Sequence, residues 1–329
     1  MKKNSQTSSL FSDAPRLQIL SAVQTGETQK ILNLLNQNPD LIHARTKSRD
    51  SSLLHIAAER AHEEICDLLL QKGHITNPVD NDGLTPYQRT TSKIIKNKLV
   101  IAHKDYLCNK YYSKEIAKVH TTVMDQSHFS EFIATRCGNN MENRVFGITN
   151  LRKFDINNKN EPYSITIIFR EDILMKPYYG DLLVIHEHEQ AVQSLELINN
   201  PEPKIELRDR HPRFEARACI ASIGTSMENY AFFKEILSKE DRFDIAEAKK
   251  LFITFALTSL YENMIKCTQL DEKNSENNLT YLKKLPRYET VVRYMRNAMS
   301  GENRIINSKI VDETLDQYPC GTSKSSLKK

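Results

Sequence analysis

The sequence predicts an α+β chain: an all-helical N-terminal repeat stack, then a mixed α+β portion with a small sheet and several long helices. Two observations lead there. The segment from about residue 15 to 105 repeats itself, with Ala22 aligning on Ala57 at an offset of 35 and Ser52-Leu53 on Thr85-Pro86 at an offset of 33. Further on, β-branched runs are grouped ahead of long helical stretches instead of alternating with them, which is the order of an α+β domain and not of βαβ units.

Composition sets outer limits. The 329 residues are 39% hydrophobic and 27% charged, which argues against wholesale disorder, a collagen-like fibre and a small disulfide scaffold. A net charge of +4, from 46 Lys+Arg against 42 Asp+Glu, is too small to predict a nucleic-acid partner. The longest nearly uncharged apolar stretch, Leu251 to Leu260, is about half the roughly 20 residues a membrane span needs. Residues Met1 to Asp13 lack the apolar run of a secretory signal, so the expected location is cytoplasmic, or outside by a signal-independent route. Six cysteines without a C-x-x-C pair argue against both a zinc ribbon and a disulfide framework.

Taken in order, residues 1–14 are polar and expected to be disordered. The first repeat pairs a helix around Leu20–Glu27 with one around Lys30–Leu35. The second pairs Leu54–His62 with Ile65–Leu70, and a third unit opens at Asp82-Gly83-Leu84-Thr85-Pro86-Tyr87. Ser52 and Thr85 are placed to cap the first helix of their unit by accepting backbone N–H groups. Pro86 suits a first helical turn, where its missing N–H costs nothing. Ala57 and Ala58 allow close helix approach, and Gly73 stands where a helix must turn left-handed to stop.

On these residues the segment resembles the ankyrin repeat. The middle unit carries the pattern best, through Ser52-Leu53-Leu54-His55-Ile56-Ala57-Ala58, His62-Glu63-Glu64-Ile65 and Leu68-Leu69-Leu70 to Gly73. Leu53 stands for the usual Pro, Ala61 for a Gly, and the first unit has an extra Pro39-Asp40 loop. The third unit turns polar from Gln88 to Lys98, which fits a capping repeat. The resemblance spans about Pro15 to His103. It implies a concave protein-binding surface and no catalysis, with His55 and His62 as framework residues. About two and a half repeats bury little apolar surface, so the unit is expected to lean on the next part of the chain, with a helix within Lys93–Val119 as the bridge.

Residues 106–316 form the predicted α+β domain. Helical character over Glu131–Cys137 meets a turn at Gly138-Asn139-Asn140. Tyr163–Phe169 and Asp181–His186 read as strands, with weaker strand candidates at Val192–Leu197 and Lys204–Leu207. Helices are expected over Phe214–Leu237, Phe243–Leu270 and around Tyr288–Met299. The Ser/Thr/Lys-rich tail 317–329 is expected to be disordered.

Three groups of residues invite chemistry. Cys137, at a turn beside Arg136, has a setting that favours a thiolate. With His186 as base and Asp209 as orienting acid it gives the order Cys, His, Asp that papain-like proteases use, though no flanking signature of those families is present. A buried or incidental cysteine is the alternative. On a strand, His186 and His188 would share one face and could chelate zinc with His211, against the alternative of a solvated strand end. Lys283, Lys284, Arg287, Arg293 and Arg296, interleaved with Tyr281, Tyr288 and Tyr294, could face anionic lipid or RNA, or form a charged outer helix face. Nine glycines form no phosphate loop, so no cofactor and no metal are expected.

The preferred reading is an interaction protein that binds a protein partner through its repeats, with membrane association as a lesser option. The Asn/Lys/Ile-rich, Trp-free composition resembles that of effectors of intracellular bacteria, in which the tail near Ser325-Ser326 would serve type IV export and the partner would be a host protein. The rival is a cysteine hydrolase whose repeats recruit substrate.

Overall fold

The computed structural model describes residues 13–114, 116, 119–137, 147–152, 164–176, 179–199, 212–229, 256–274 and 277–299. The chain divides into two compact units. One holds residues up to Lys110 with Met175–Pro177, and the other holds Tyr111–Leu174 with the residues from Tyr178 onward.

The N-terminal unit is helical: α1 (Asp13–Thr25), α2 (Thr28–Gln37), a 3-10 turn at Pro39–His43, α3 (Leu53–Glu59), α4 (Glu63–Gln71), α5 (Pro86–Arg89) and α6 (Lys93–Tyr111). Helix α1 packs on α2 and on α3, and α3 packs on α4 and α5. Ile19, Ala22, Val23, Ile31, Leu53, Leu54, Ala57, Ala58, Ile65 and Leu69 lie at 0–1% exposure, so the small alanines sit where the helices meet.

Helix ends explain the hairpins. Gly26, Ala61 and Gly73 all take positive φ, at 82°, 55° and 84°. The next N–H then reaches back into the last helical turn: Glu27 to Ala22, His62 to Ala57 and His74 to Leu69, each at 2.9 Å. After α3 and α4 the residue at positive φ itself bonds back, Ala61 to Ala58 and Gly73 to Leu70, which completes the Schellman pattern. Gly26 and Ala61 end the first helix of successive hairpins at the same offset of 35 that relates Ala22 to Ala57.

The second unit holds β1 (His120–Met124), α7 (Gln126–Cys137), β2 (Gly147–Arg152), β3 (Ser164–Arg170), α8 (Glu171–Leu174), α9 (Tyr179–Asn199), α10 (Pro212–Asn229), α11 (Thr258–Asn274), α12 (Asn278–Lys283) and α13 (Tyr288–Met299). Its three-stranded sheet has order β1-β3-β2, with β1 parallel and β2 antiparallel to β3. Thr122 and Ile148 both pair with Ile168, which puts them on one face. Phe129 and Ile133 of α7 bury against Ile168 on that face, with Met124, Phe132 and Ile148 around them. The opposite face meets α9 through Gly147 and Thr149. Helix α10 lies against α9 and α11.

Mostly helical structure with a small mixed sheet is the coarse α+β arrangement expected from the sequence. The strand expected over Tyr163–Phe169 is met by β3 from Ser164, and Tyr288 and Met299 bound α13. Asp181–His186 and Val192–Leu197 are corrections: both lie in α9. Residues 181 to 187 are all buried, enclosed by the sheet and α10. A helix buried on every side has an apolar run without a 3.6-residue stripe, and such a run imitates a strand. Strands β1 and β2 lacked a signal because His-Thr-Thr-Val-Met and Gly-Ile-Thr-Asn-Leu-Arg are short and half polar. The tails 1–12 and 300–329, the turn at 138–140, Lys204–Leu207, residues 230–237 and residues 243–255 lie outside the described residues.

Candidate functional site

In the N-terminal unit the local chemistry of the turns sets the surface. Ser52 caps α3, and His55 completes the box: its Nδ1 accepts from the Ser52 N–H at 3.2 Å. Nε2 then carries the ring proton and donates to the Leu84 carbonyl at 2.9 Å, joining the second hairpin to the third. Burial holds the His55 pKa below the ordinary histidine value, as that neutral tautomer requires. Thr85 and Gln88 form the equivalent box on α5, with Pro86 in its first turn.

Asp80, fully buried, accepts from the Asp82 and Leu84 N–H groups with one oxygen and from Arg89 Nε and Nη2 with the other, at 2.8 and 2.6 Å. Asn81 N–H bonds to Arg49 O at 2.8 Å, so the tips of successive turns lie side by side. His62 covers Gly26, and its Nε2 faces Gln24 O at 3.4 Å, tying the second hairpin to the first. Lys47, Ser48 and Arg49 on one turn and Asn81 and Asp82 on the next are exposed, as are Glu59 and Arg60 at the end of α3. Helix α1 exposes Leu17, Gln18, Ser21 and Gln24, with Leu17 at 57%. This surface is polar, mixed in charge, and built on backbone that neighbouring hairpins hold in place.

In the second unit His186 and His188 do not share a face. Two residues on a helix stand about 200° apart, and the two rings meet different elements. His188 Nε2 accepts from the Ser113 N–H at 3.1 Å and its ring stacks on Tyr112 at 5.3 Å; burial lowers its pKa. His186 is 5% exposed and not at a solvated strand end. Its Nδ1 lies 3.9 Å from Cys219 Sγ, its Nε2 3.4 Å from Glu215 Oε2, and Gln190 bonds both Nε2 and Glu215 at 3.0 Å. Burial opposes charge on this ring, but Cys219 and Glu215 on its two sides outweigh that and hold its pKa well above the ordinary value. Next to it, burial raises Glu187 to about 7, while its carboxylate accepts from Thr149 Oγ1 at 2.8 Å.

The side chain of Cys137, and all of Asp209 and His211, lie outside the described residues; the Cys137 backbone ends α7. Sequence reasoning missed Glu215 and Cys219, although their spacing of four in a predicted helix puts them on one face. Cys219 is fully buried in mid-helix, so neither solvent nor a substrate carbonyl reaches its sulfur. No group of three or more potential metal ligands comes together among the described residues.

The basic C-terminal residues also divide. Tyr288 is buried, Arg287 pairs with Glu228 at 2.7 Å, and Tyr281 receives a hydrogen bond from Arg217. Lys283, Lys284 and Arg293 are exposed, and the side chains of Tyr294 and Arg296 lie outside the described residues. Among the described residues no helix is long and apolar enough to cross a membrane.

No protein-family model matches this chain, and no curated protein matches it.

Proposed function

We propose that the N-terminal unit is an ankyrin-like repeat stack and that the chain acts by binding a protein partner through the turn tips and first helices of that stack. The observation that carries the reading is the hydrogen-bond relay through His55, from the Ser52 cap to the Leu84 carbonyl of the next turn. It fixes a row of turns whose tips carry exposed side chains, among them Arg49, paired with Glu59 at 3.6 Å, and Asp82, paired with Arg89. The recurrent helix end at Gly26 and Ala61 supports the same periodic arrangement.

A surface of this kind recognises another folded protein by shape and mixed charge. Leu17 gives it an apolar point, and Arg49, Glu59, Arg60 and Asp82 give it alternating charge. The test is affinity capture with the full chain and a variant carrying Leu17→Asp, Arg49→Glu and Glu59→Lys, all at exposed positions. A protein retained by the wild type and lost by the variant, at unchanged circular dichroism, is the expected result. Equal retention by both removes this surface from consideration.

A further inference from the structure

We propose that the open edge of β1, flanked by α7, is a docking groove for an extended polypeptide segment that carries lysine or arginine side chains. Three independent features meet there.

The first is the edge itself. Among the described residues β1 pairs on one side only, with β3. His120 is exposed and Thr121–Met124 are half-buried, whereas four of the last five residues of β3 are buried in succession. Strand edges that must stay unpaired usually carry lysine, proline or an inward charge. His-Thr-Thr-Val-Met carries none of these, and among the described residues its outer row of N–H and C=O groups meets no further strand, which is the template for strand addition.

The second is the wall beside it. Helix α7 turns Phe129 and Ile133 into the core with Phe132 half-buried against them, and beside these His128, Glu131, Phe132 and Thr135 form a stripe spaced three, four and seven residues apart. That stripe and Val123, Met124 and Asp125 line one groove of about 510 Å3. Val123 and Met124 point to opposite faces of the sheet, so a groove that touches both runs along the strand edge. A segment laid against β1 would set alternate side chains over Met124 and Phe132.

The third is charge. The ionisable lining is Asp125, Glu131 and His128. Asp125 is already used: its carboxylate caps the start of α7 through the His128 N–H at 2.9 Å and holds the His128 ring at 2.6 Å. Glu131 makes no ion pair among the described residues and is exposed. A row of backbone acceptors and donors with the exposed Glu131 carboxylate beside it selects an extended chain with a cationic side chain.

The probe is a fluorescein-labelled peptide of alternating lysine and valine, with a glutamate–valine peptide as control, titrated against the full chain by fluorescence anisotropy. The basic peptide is expected to bind at about 10–100 µM, the acidic one not to bind at about 1 mM. Glu131→Lys, an exposed substitution, should weaken the basic peptide about tenfold or more. Hydrogen exchange should show new protection at the amides of 120–124 when the basic peptide is added. Equal binding of both peptides, an unchanged affinity in Glu131→Lys, or unchanged exchange at β1 would each overturn the proposal. So would sedimentation showing that the chain alone self-associates with β1 already protected, because the edge would then belong to a second copy.

Discussion

Ala61 offers the sharpest test of the helix-end reasoning. It ends α3 at φ 55°, where the ends of α1 and α4 carry Gly26 and Gly73. A residue with a Cβ held in the left-handed region costs about 1–2 kcal/mol. Ala61→Gly relieves that strain but gives the unfolded chain more freedom, worth about 0.4–1 kcal/mol in the other direction. The side chain is exposed, so no burial is lost. The net expectation is a gain of about 0.5–1 kcal/mol, or an about twofold to fivefold smaller unfolded fraction. Gly26→Ala is the mirror experiment. It places a Cβ at φ 82° and 3.2 Å from His62 Cε1, and should destabilise by about 1–2 kcal/mol. Cys66 is fully buried in α4, and burial pushes its thiol up to about 12. Its labelling, read from its own peptide by mass spectrometry, reports opening of this unit alone. Slower labelling in Ala61→Gly and faster labelling in Gly26→Ala are required. If Ala61→Gly labels as fast as wild type or faster, the strain at residue 61 does not exist and the argument fails.

Other perturbations read the buried polar groups. His55→Ala strands the Ser52 N–H and leaves the Leu84 carbonyl only the Asp80 N–H as donor, and should cost about 2–3 kcal/mol, measured by urea unfolding. His74 is held by burial at about 4, below its ordinary 6.5. Its contribution is therefore complete above pH 6.5 and is lost as pH falls toward 4, by roughly 2 kcal/mol at pH 5. In His74→Gln that part of the pH dependence should vanish; an unchanged slope refutes it. Glu187 is the opposite case, raised by burial from 4.5 to about 7. Its cost is absent below pH 4.5 and grows as pH rises toward 7, so Glu187→Gln should be roughly 3 kcal/mol more stable than wild type at pH 8 and equal to it near pH 4. Arg89→Met leaves the Asp80 carboxylate buried without its guanidinium and should destabilise by about 3–5 kcal/mol, visible as faster Cys66 labelling.

Local chemistry is legible in the sequence, and three-dimensional enclosure is not. Ser52, Thr85, Pro86 and Gly73 act within a few residues of themselves, so their types and spacing are enough to locate helix starts and a helix end. The apolar spacing in 93–107 predicts one helix, yet its apolar residues divide: Ile95, Leu99 and Leu107 are buried while Ile94, Ile101 and Tyr106 are exposed. Asp181–Ile185 misleads because what distinguishes a strand from an enclosed helix there is the set of neighbours, supplied by residues far away in sequence. His186 stands out in the sequence for its histidine neighbour, yet its partners are Glu215 and Cys219, about 30 residues on.

That triple also shows why order and distance do not make a catalyst. Cys219, His186 and Glu215 present a thiol on one ring nitrogen and a carboxylate on the other, which is the connectivity of a nucleophile, a base and an orienting acid. Acyl transfer needs more: a sulfur that a carbonyl carbon can approach, and unused donors for the oxygen that becomes charged. Cys219 sits inside α10, where each backbone N–H is spent on the helix, and its sulfur is sealed between helices. Glu215 and Gln190 reach the edge of the cluster, where Arg217 links Glu189 and Glu196 of α9 to Tyr281 of α12. Charge placed on His186 is balanced by Cys219 and Glu215 inside the helix packing. The cluster therefore fixes how α9, α10 and α12 meet.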